Sequence, residues 1–233
     1  MKFLISNDDG FDAEGILALK EAASSFGQGA IVAPDQGYSG CGHRVTDKAP
    51  IRVDSRSDDL HVVYGTPADC TRLGLVKLVP DPDWVLSGIN HGGNLAGDIF
   101  MSGTAAAARE AAISGKKAIA FSQYINLEVS PPNWERTTLW TRHVLNVLFD
   151  KELKPGQFWN VNFPALPAGD VTPEIVFCRH DTSQVDLTYE WTAEGAMYRG
   201  IYRERGRRPG CDVDVCFSGK ISVTRIQLDA SAE

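Results

Sequence analysis

The sequence predicts an α/β fold, with a mainly parallel β-sheet, flanking helices and a C-terminal extension of short strands. In the first part of the chain, short apolar runs alternate with amphipathic stretches, a pattern typical of parallel strands joined by helical crossovers. Several of these runs lead directly into polar, glycine-rich loops, which are expected where strands leave the carboxyl edge of such a sheet. Beyond about residue 177 the pattern changes to short strand-like pieces between polar stretches.

The elements are predicted from apolar spacing and from the residues that flank each run. Thr66, Pro67 and Asp69 start one helix with an N-cap, a proline in the first helical position and an acid in the first turn. The predicted strands span residues 2–6, 30–33, 84–87, 118–122, 160–164 and 220–226, and 51–53 pairs with 61–64 as a hairpin. The predicted helices span residues 14–23, 66–78, 105–114 and 134–149. The predicted core residues of the last helix are Leu139, Val144, Val147 and Leu148.

Length and charge limit the class of protein. A chain of 233 residues with 43% hydrophobic residues can bury one substantial core. We expect a catalytic core over residues 1–177 and, over 178–233, an arm or small subdomain that takes part in oligomerisation. The formal charge of −7 argues against binding to a nucleic acid polymer or an anionic membrane, because the sequence-independent part of both interactions needs cationic surface.

Neither a secretion signal nor a membrane span is expected. No run approaches the roughly 18 apolar residues of a spanning helix, and the N-terminus lacks a charged segment followed by a long apolar stretch. We therefore expect a cytoplasmic protein. The five cysteines are scattered without a close metal-binding pair, which favours reduced thiols over a disulfide framework.

Two adjacent aspartates, Asp8 and Asp9, directly follow the first predicted strand. Carboxylates this close repel each other unless a cation lies between them or one is protonated. Hard oxygen ligands of this kind suit Mg²⁺, Mn²⁺ or Ca²⁺ better than zinc. The pair therefore predicts a divalent-metal site, and the alternative is an acidic turn in which Asp9 or Asp12 caps the next helix.

Two further oxygen-bearing side chains follow other predicted strands. Ser39 and Asn90 lie in loops at the carboxyl edge of the sheet, where open parallel sheets bind their ligands. Two carboxylates, a hydroxyl and an amide carbonyl leave room for waters and substrate around an octahedral ion. We predict a metal shell of Asp8, Asp9, Ser39 and Asn90, although Ser39 and Asn90 taken singly are also ordinary turn residues.

The segment Ser102-Gly103-Thr104 supplies a reason for the metal. It precedes a very alanine-rich helix, and hydroxyls with free amides at a helix N-terminus can form an anion cradle. The alternative is that Ser102 or Thr104 only caps the helix. Together with the acid pair, the cradle favours phosphate hydrolysis, in which a divalent ion neutralises a phosphoryl oxygen and activates a water for in-line attack. The predicted phosphate contacts are Asn94, Ser102, Gly103 and Thr104.

His43 and His91 lie in the same two polar loops as Ser39 and Asn90. Each is a candidate proton donor to a leaving alkoxide, although a lone loop histidine is more often structural. An arginine-rich stretch over residues 199–208 can attract an anionic substrate or a neighbouring subunit, and a solvated charged face is the simpler explanation.

Several motifs, in this order, resemble the SurE (survival protein E) family of nucleotidases. The match is dense over the first half of the chain and extends faintly through residues 160–164 and 222–224. It rests on Asn7-Asp8-Asp9-Gly10, Val32-Ala33-Pro34-Asp35 with Ser39-Gly40, Gly65-Thr66-Pro67-Ala68-Asp69-Cys70, Ser87-Gly88-Ile89-Asn90-His91-Gly92 and Ser102-Gly103-Thr104. The chain departs from the family pattern at Cys41-Gly42-His43-Arg44, where members commonly carry small and hydroxyl residues.

The resemblance implies a Rossmann-like core and a metal-dependent phosphatase, with Mg²⁺ or Mn²⁺ as cofactor. The implied substrates are nucleoside 5′- or 3′-monophosphates, and some members also act on polyphosphate. By residue matching, the family's metal ligands fall on Asp8, Asp9, Ser39 and Asn90. The resemblance also implies a cytoplasmic homodimer or homotetramer assembled partly through C-terminal elements.

Two other interpretations of the first loop stay open. In a haloacid-dehalogenase-like phosphatase an aspartate after the first strand is the nucleophile, but a second aspartate is expected where Gly10 stands. The other is a dinucleotide-dependent oxidoreductase, or a nucleotide-binding module without turnover. Against it, the turn lacks G-x-G-x-x-G, and its carboxylates would repel a pyrophosphate without an intervening cation.

Overall fold

The computed structural model describes residues 1–169, 171–185 and 187–231, and its centre is a nine-stranded sheet. Residues 186, 232 and 233 of the predicted C-terminal extension lie outside the described residues. The sheet contains β1 (Lys2–Ser6), β2 (Gln28–Pro34), β3 (Val53–Ser57), β4 (Leu60–Val63), β5 (Trp84–His91), β6 (Ala118–Gln123), β7 (Gln157–Phe163), β8 (Ile175–Phe177) and β11 (Ile221–Gln227). A separate antiparallel hairpin consists of β9 (Tyr189–Thr192) and β10 (Gly195–Tyr198).

The strand order is β3-β4-β2-β1-β5-β6-β7-β11-β8. Neighbouring strands from β4 to β7 in this order are parallel, whereas β3 and β11 run antiparallel to β4 and β7. The sheet is thus mainly parallel, as predicted. The chain leaves β1 towards β2 on one side and returns to β5 on the other. This reversal of strand order is the switch point where open α/β sheets bind ligands.

Helices cover both faces of the sheet. Successive residues of β1 point to opposite faces, so Phe3 and Ile5 join one core cluster and Leu4 joins the other. All three side chains are fully buried, as expected for a strand covered on both faces. The helices are α1 (Glu14–Ser24), α2 (Pro67–Leu73), α3 (Asp98–Met101), α4 (Gly103–Ile113), α5 (Trp134–Leu148) and α6 (Asp212–Phe217), with a π-helical turn at Gly74–Leu78 and a 3₁₀ turn at Tyr202–Glu204.

Most predicted elements are present, with shifted bounds. The predicted start of α2 is confirmed: Thr66 Oγ1 accepts a hydrogen bond from the backbone N–H of Asp69, whose carboxylate accepts one from the N–H of Thr66. The helical segment runs to Leu78, as predicted, with the α-helix over Pro67–Leu73 and a π-helical turn over Gly74–Leu78.

Two predictions about individual positions are wrong. The polar segment after residue 87 is not wholly a loop, because β5 continues to His91. Gly88 makes this possible: a Cβ there would lie 2.3 Å from the carbonyl oxygen of Phe121 on β6, so only glycine allows the close approach. Leu139 is not a core residue, since 60% of it is exposed. It lies four positions from Glu135 and from His143, and these three exposed residues share the solvent side of α5.

The C-terminal extension divides into two parts. Strand β11 lies inside the main sheet, between β7 and β8, whereas every residue of the β9–β10 hairpin is exposed. All five cysteines are free, as predicted. Within the described residues, no helix combines the length and the apolar character needed to cross a bilayer.

Candidate functional site

The acid pair lies at the carboxyl end of β1, where three segments of the chain meet. Asp8 is 4% exposed, and one of its carboxylate oxygens, Oδ1, accepts a hydrogen bond from the Thr104 hydroxyl at the start of α4. Its backbone carbonyl accepts a hydrogen bond of 2.7 Å from the N–H of Tyr38, in the loop after β2. The first loop, the second loop and helix α4 are therefore joined at Asp8.

Gly103 lets α4 approach this close. A Cβ at Gly103 would lie 2.6 Å from Cβ and 2.8 Å from Oδ2 of Asp8. Any side chain at this position would push the carboxylate out of its place. Gly103 is predicted from the sequence as a backbone contact to phosphate, and in the structure the glycine also leaves room for Asp8.

Burial makes ionisation of the acid pair unfavourable. It is the main cause that raises the pKa of Asp8 from 3.8 to about 6; the hydrogen bond from Thr104 opposes this rise and the charge of Asp9 adds to it. Burial also raises the pKa of Asp9, against the effect of the His91 backbone N–H, which donates to Asp9 Oδ2 over 3.1 Å. Two adjacent carboxylates with raised pKa values form a donor set that fits a divalent cation.

The two neutral oxygen donors predicted for the metal lie in different kinds of segment, Ser39 in the loop after β2 and Asn90 near the end of β5. Ser39 is exposed and directly follows Tyr38, the residue bonded to the Asp8 backbone. Asn90 donates through Nδ2 to the carbonyl oxygen of Gly92 over 2.8 Å, and no described residue donates to its amide oxygen. The described residues contain no group of three His, Cys, Asp or Glu side chains arranged for a metal. A site here therefore depends on two carboxylates completed by neutral oxygens.

The predicted phosphate contacts have structural partners of their own. Ser102 caps α4, since its Oγ accepts a hydrogen bond of 2.9 Å from the N–H of Ala105. Thr104 donates its hydroxyl to Asp8. Asn94 is 6% exposed and donates through Nδ2 to Ser122 Oγ on β6 over 2.8 Å. The capping interpretation therefore holds for Ser102, whose hydroxyl hydrogen is still available to an anion.

The two candidate histidines differ in their surroundings. His43 has both ring nitrogens in contact: Nε2 lies 2.7 Å from Glu110 Oε2 and Nδ1 lies 3.4 Å from Arg109 Nη1. An arginine can only donate, so Nδ1 accepts and Nε2 carries the proton given to Glu110. His91 is exposed, its ring centroid lies 6.3 Å from that of Trp134, and its backbone is bound to Asp9.

Glu110 is a residue that the sequence analysis missed. It is 3% exposed in the middle of the alanine-rich helix, and its Oε1 accepts a hydrogen bond of 2.7 Å from Nε of Arg72 on α2. Burial opposes its ionisation, but the hydrogen bonds from His43 and Arg72 outweigh burial and lower its pKa. The signal in the sequence was a carboxylate in the middle of a helix that consists mostly of alanine.

A second missed group supports the loop after β5. Asn160 and Asn162, on the same side of β7, donate through Nδ2 to the carbonyl oxygen of Asn94 over 2.9 and 3.1 Å. Asn162 Oδ1 also accepts the backbone N–H of Asn94 over 2.7 Å. Their spacing of two in a predicted strand is the signal that identifies such a polar face.

The arginine-rich stretch is not simply a solvated face. Arg205 donates through both Nη atoms to Asp98, over 2.6 and 3.0 Å, and its side chain is only 8% exposed. The prediction is wrong for this residue because its acidic partner lies 107 positions earlier in the chain. Arg199 and Arg203 do lie on the surface, paired with exposed glutamates.

The larger surface cavities lie away from this corner of the sheet. Three of them have volumes of about 460, 500 and 570 Å³, and their linings contain none of the predicted site residues. The candidate site is identified by its charge and its place at the switch point rather than by concavity.

Comparisons with known proteins agree with this geometry. The family model described as Survival protein SurE matches residues 3–186. A protein of Synechocystis sp. is 49% identical over 230 residues, which are 98% of this chain and 100% of the relative. A protein of Geobacter sulfurreducens named 5′-nucleotidase SurE is 37% identical, with 98% of this chain and 88% of the relative covered. The crystal structure of the SurE protein from Aquifex aeolicus is 32% identical and has a TM-score of 0.86 over 99% of this chain and 95% of that one.

Proposed function

The chain belongs to the SurE family, and from this premise we propose that it is a metal-dependent phosphatase of nucleoside 5′- or 3′-monophosphates. The products are the nucleoside and inorganic phosphate, and short polyphosphate is a further proposed substrate. The predicted class of enzyme, a phosphoric monoester hydrolase, is confirmed by curated relatives named 5′-nucleotidase that match 98–100% of this chain.

The observation that carries the proposal is the acid pair at the switch point. Asp8 and Asp9 are held in a buried corner that raises the pKa of both carboxyl groups. Strongly perturbed acids at the ligand-binding edge of a parallel sheet are typical of a functional site. Asp8, with a pKa of about 6, ionises near neutral pH, and its negative charge makes the corner suitable for a cation.

Asp8, Asp9, Ser39 and Asn90 are the proposed ligands of a divalent ion, Mg²⁺ or Mn²⁺. Such an ion supplies positive charge that neutralises phosphoryl oxygens and makes a water a better nucleophile. Thr104 keeps Asp8 in position through its hydroxyl. The hydroxyl of Ser102 and the N-terminal amides of α4 are the proposed contacts to the phosphate, and Asn94 holds the adjoining loop against β6.

The proposed proton donor to the leaving alkoxide is His91. Its backbone is bound to Asp9, its ring is exposed, and no described residue forms a hydrogen bond with its ring nitrogens. His43, the other candidate, already gives its Nε2 proton to Glu110. The proposed task of His43 is to fix the loop that carries Ser39 to helix α4.

We also propose a cytoplasmic homodimer or homotetramer. The support is the β9–β10 hairpin, which exposes 82% of Trp191 and about half of Tyr189 and Tyr198. Aromatic side chains exposed in one small hairpin are typical of protein contact surfaces. The proposed division of the chain places the catalytic core over residues 1–177 and lets the extension over residues 178–233 take part in assembly.

Release of inorganic phosphate tests the proposal. A panel of nucleoside 5′- and 3′-monophosphates and short polyphosphates is incubated with the protein in EDTA and then with Mg²⁺ or Mn²⁺. We expect release only with a divalent cation, and none from Asp8→Asn. The matched control is Asp58→Asn, an exposed aspartate far from the site in the sequence, which keeps the activity of the parent.

Two outcomes would contradict the proposal. Nucleotide binding without phosphate release under every cation would favour the binding-module interpretation. A phosphorylated aspartate trapped during turnover would favour the aspartyl-nucleophile mechanism instead.

A further inference from the structure

A small cavity lies at the carboxyl edge of the sheet, beside the candidate site. It is formed by residues 124–128, which follow β6, and by residues 201–203 of the C-terminal extension, and its volume is about 290 Å³. That volume is close to the lower end of the roughly 300–1,000 Å³ common for small-molecule sites. The cavity is therefore large enough for one small ring system and too small for a folded partner.

Three consecutive residues connect the cavity to the acid pair. The N–H of His91 donates to Asp9 Oδ2, and the N–H of Gly92 donates to the carbonyl oxygen of Gln123 over 3.0 Å. The carbonyl oxygen of Gly93 then accepts a hydrogen bond of 3.2 Å from the hydroxyl of Tyr202, which lines the cavity. Two residues of extended chain span about 7 Å. The cavity is therefore within the reach of a nucleoside monophosphate whose phosphate lies at the acid pair.

Part of the lining of the cavity is apolar or aromatic. Leu127 is 75% exposed and Ile201 is 51% exposed, on opposite walls. The rings of Tyr124 and Tyr202 stack with centroids 5.9 Å apart. Apolar and aromatic side chains of this kind bind a planar ring through its faces.

The rim of the cavity is polar. An ion pair joins Arg203 to Glu128, one from each wall, and both side chains are largely exposed. Their remaining donors and acceptors are available to hydroxyl groups. A cavity that combines apolar and aromatic side chains with a charged rim, a few residues from the proposed phosphate site, is complementary to a heterocyclic base joined to a sugar.

We propose that this cavity is the nucleoside subsite of the enzyme. The base packs against Leu127 and Ile201, the ribose faces the ion pair, and the phosphate lies at the acid pair and the start of α4. The subsite rests on the proposed function, and it determines selectivity for nucleotides over phosphate esters that lack a base. The single hydroxyl hydrogen of Tyr202 is shared between the carbonyl oxygen of Gly93 and Asp98 Oδ2, the latter at 2.7 Å, and these contacts fix the wall of the cavity to the segment after β5.

The test compares two substrates that differ only in the base, adenosine 5′-monophosphate and ribose 5-phosphate. The selectivity is the ratio of kcat/KM for the first to kcat/KM for the second, measured with Mn²⁺. The test variant is the double substitution Leu127→Ser with Ile201→Ser. The matched control is Val76→Ser, which also removes an exposed aliphatic side chain (82% exposed) but lies on the π-helical turn.

We expect the double variant to lose about tenfold of the selectivity, mainly through a higher KM for the nucleotide, since an apolar contact in a pocket contributes about 10- to 200-fold. Val76→Ser keeps the parent ratio.

An unchanged ratio in a double variant whose circular dichroism matches the parent would overturn the subsite and leave the proposed function standing. An unchanged ratio with a smaller oligomer on size-exclusion chromatography would assign the surface to a second copy of the chain. Absence of phosphate release from both substrates by the parent protein would overturn the proposed function, and the subsite with it.

Discussion

Two buried carboxylates lie against helix α4, and they differ in the charges that surround them. Near the start of the helix, burial and a neighbouring aspartate raise the pKa of Asp8 to about 6, against the hydroxyl of Thr104. Further along, Glu110 is equally buried, but the hydrogen bonds from His43 and Arg72 outweigh burial and lower its pKa. Within the described part of the chain the first carboxylate lacks a positive partner, whereas the second accepts hydrogen bonds from the guanidinium of Arg72 and the imidazole of His43.

This difference indicates what each carboxylate does. The charge of Glu110 is balanced within the chain, so the group connects α4 to α2 and to the loop after β2. The negative charge of Asp8 is not balanced by a cationic group among the described residues. A buried, unbalanced charge destabilises the folded protein unless a bound cation neutralises it. An acid that is kept unfavourable in the folded protein is typical of a functional group, whereas an ion pair completed within the chain is typical of a structural one.

The largest expected effect is on activity. Asp8→Asn removes a proposed metal ligand, and the charge stabilisation supplied by a catalytic metal amounts to several kcal/mol. At 1.36 kcal/mol for each factor of ten, we expect a loss of at least about 10³-fold in kcat/KM for nucleoside monophosphates. Glu110→Gln, measured in the same assay, keeps its response to divalent cations. A loss of less than tenfold in kcat/KM for Asp8→Asn would contradict the proposed role of Asp8 as a metal ligand.

The pH dependence of stability separates the two acids. In EDTA, folded Asp8 has a pKa of about 6 against an ordinary value of 3.8, so the folded state binds its proton more tightly than the unfolded state. Its ionisation therefore lowers the free energy of unfolding as the pH rises from about 4 to about 6, by about 3 kcal/mol in total.

Urea unfolding between about pH 3.5 and about pH 8, a range that spans both the ordinary and the raised pKa of Asp8, measures this effect as the difference between the parent and Asp8→Asn. We expect the variant to lack the decrease and to be the more stable of the two above pH 6. Identical pH profiles would show that Asp8 is not perturbed. For Glu110 the sign is opposite: with a folded pKa below 4.5, its contribution is present above that pH and is lost as the pH falls through the lowered value.

At neutral pH, the same change from acid to amide has opposite effects at the two positions. Glu110→Gln weakens the hydrogen bonds to His43 and Arg72, and a hydrogen bond to a charged group contributes about 1.5–3 kcal/mol. Arg72 is 46% exposed and regains water, so we expect a loss of about 2 kcal/mol in the free energy of unfolding. Chemical unfolding at pH 7 measures this free energy. A Glu110→Gln variant more stable than the parent would show that the charge of Glu110, like that of Asp8, destabilises the folded protein.

The smallest expected effect is that of a methyl group added beside Asp8 at the start of α4. In Gly103→Ala the new methyl group meets the Asp8 side chain at 2.6 Å, and such overpacking costs about 1–3 kcal/mol. We expect an activity about tenfold lower, since the carboxylate is displaced. Gly97→Ala is the matched control, because a Cβ there has no atom within 4 Å among the described residues. Equal activities of the two variants would show that the position of Asp8 tolerates the shift.

The parallel sheet was predictable because its strands carry their own signals. The buried run at β1 and the N-cap of α2 are local patterns that the sequence displays directly, and both are present. The acid pair was found for the same reason, since Asp8 and Asp9 are adjacent in the chain. Local chemistry identifies an element or a pair when the partners are close in sequence.

The contacts that complete the site are not local, and the sequence did not reveal them. Glu110 meets His43 across 67 positions, and Arg205 meets Asp98 across 107. The sequence around a single charged residue does not indicate a distant partner. The sequence therefore predicts a solvated Arg205 and assigns no role to Glu110. Leu139 shows the converse, because an apolar residue on an amphipathic helix does not reveal which side faces the sheet.

The position of β11 has a consequence for how the protein is made. This strand, near the end of the chain, is inserted between β7 and β8, and it is the only strand with which β8 pairs among the described residues. During synthesis β7 can pair with β6 as soon as both are made, but β8 has no neighbouring strand in the sheet until β11 has been synthesised. A chain truncated before residue 221 would leave β7 with an open edge, and such an edge is a template for aggregation.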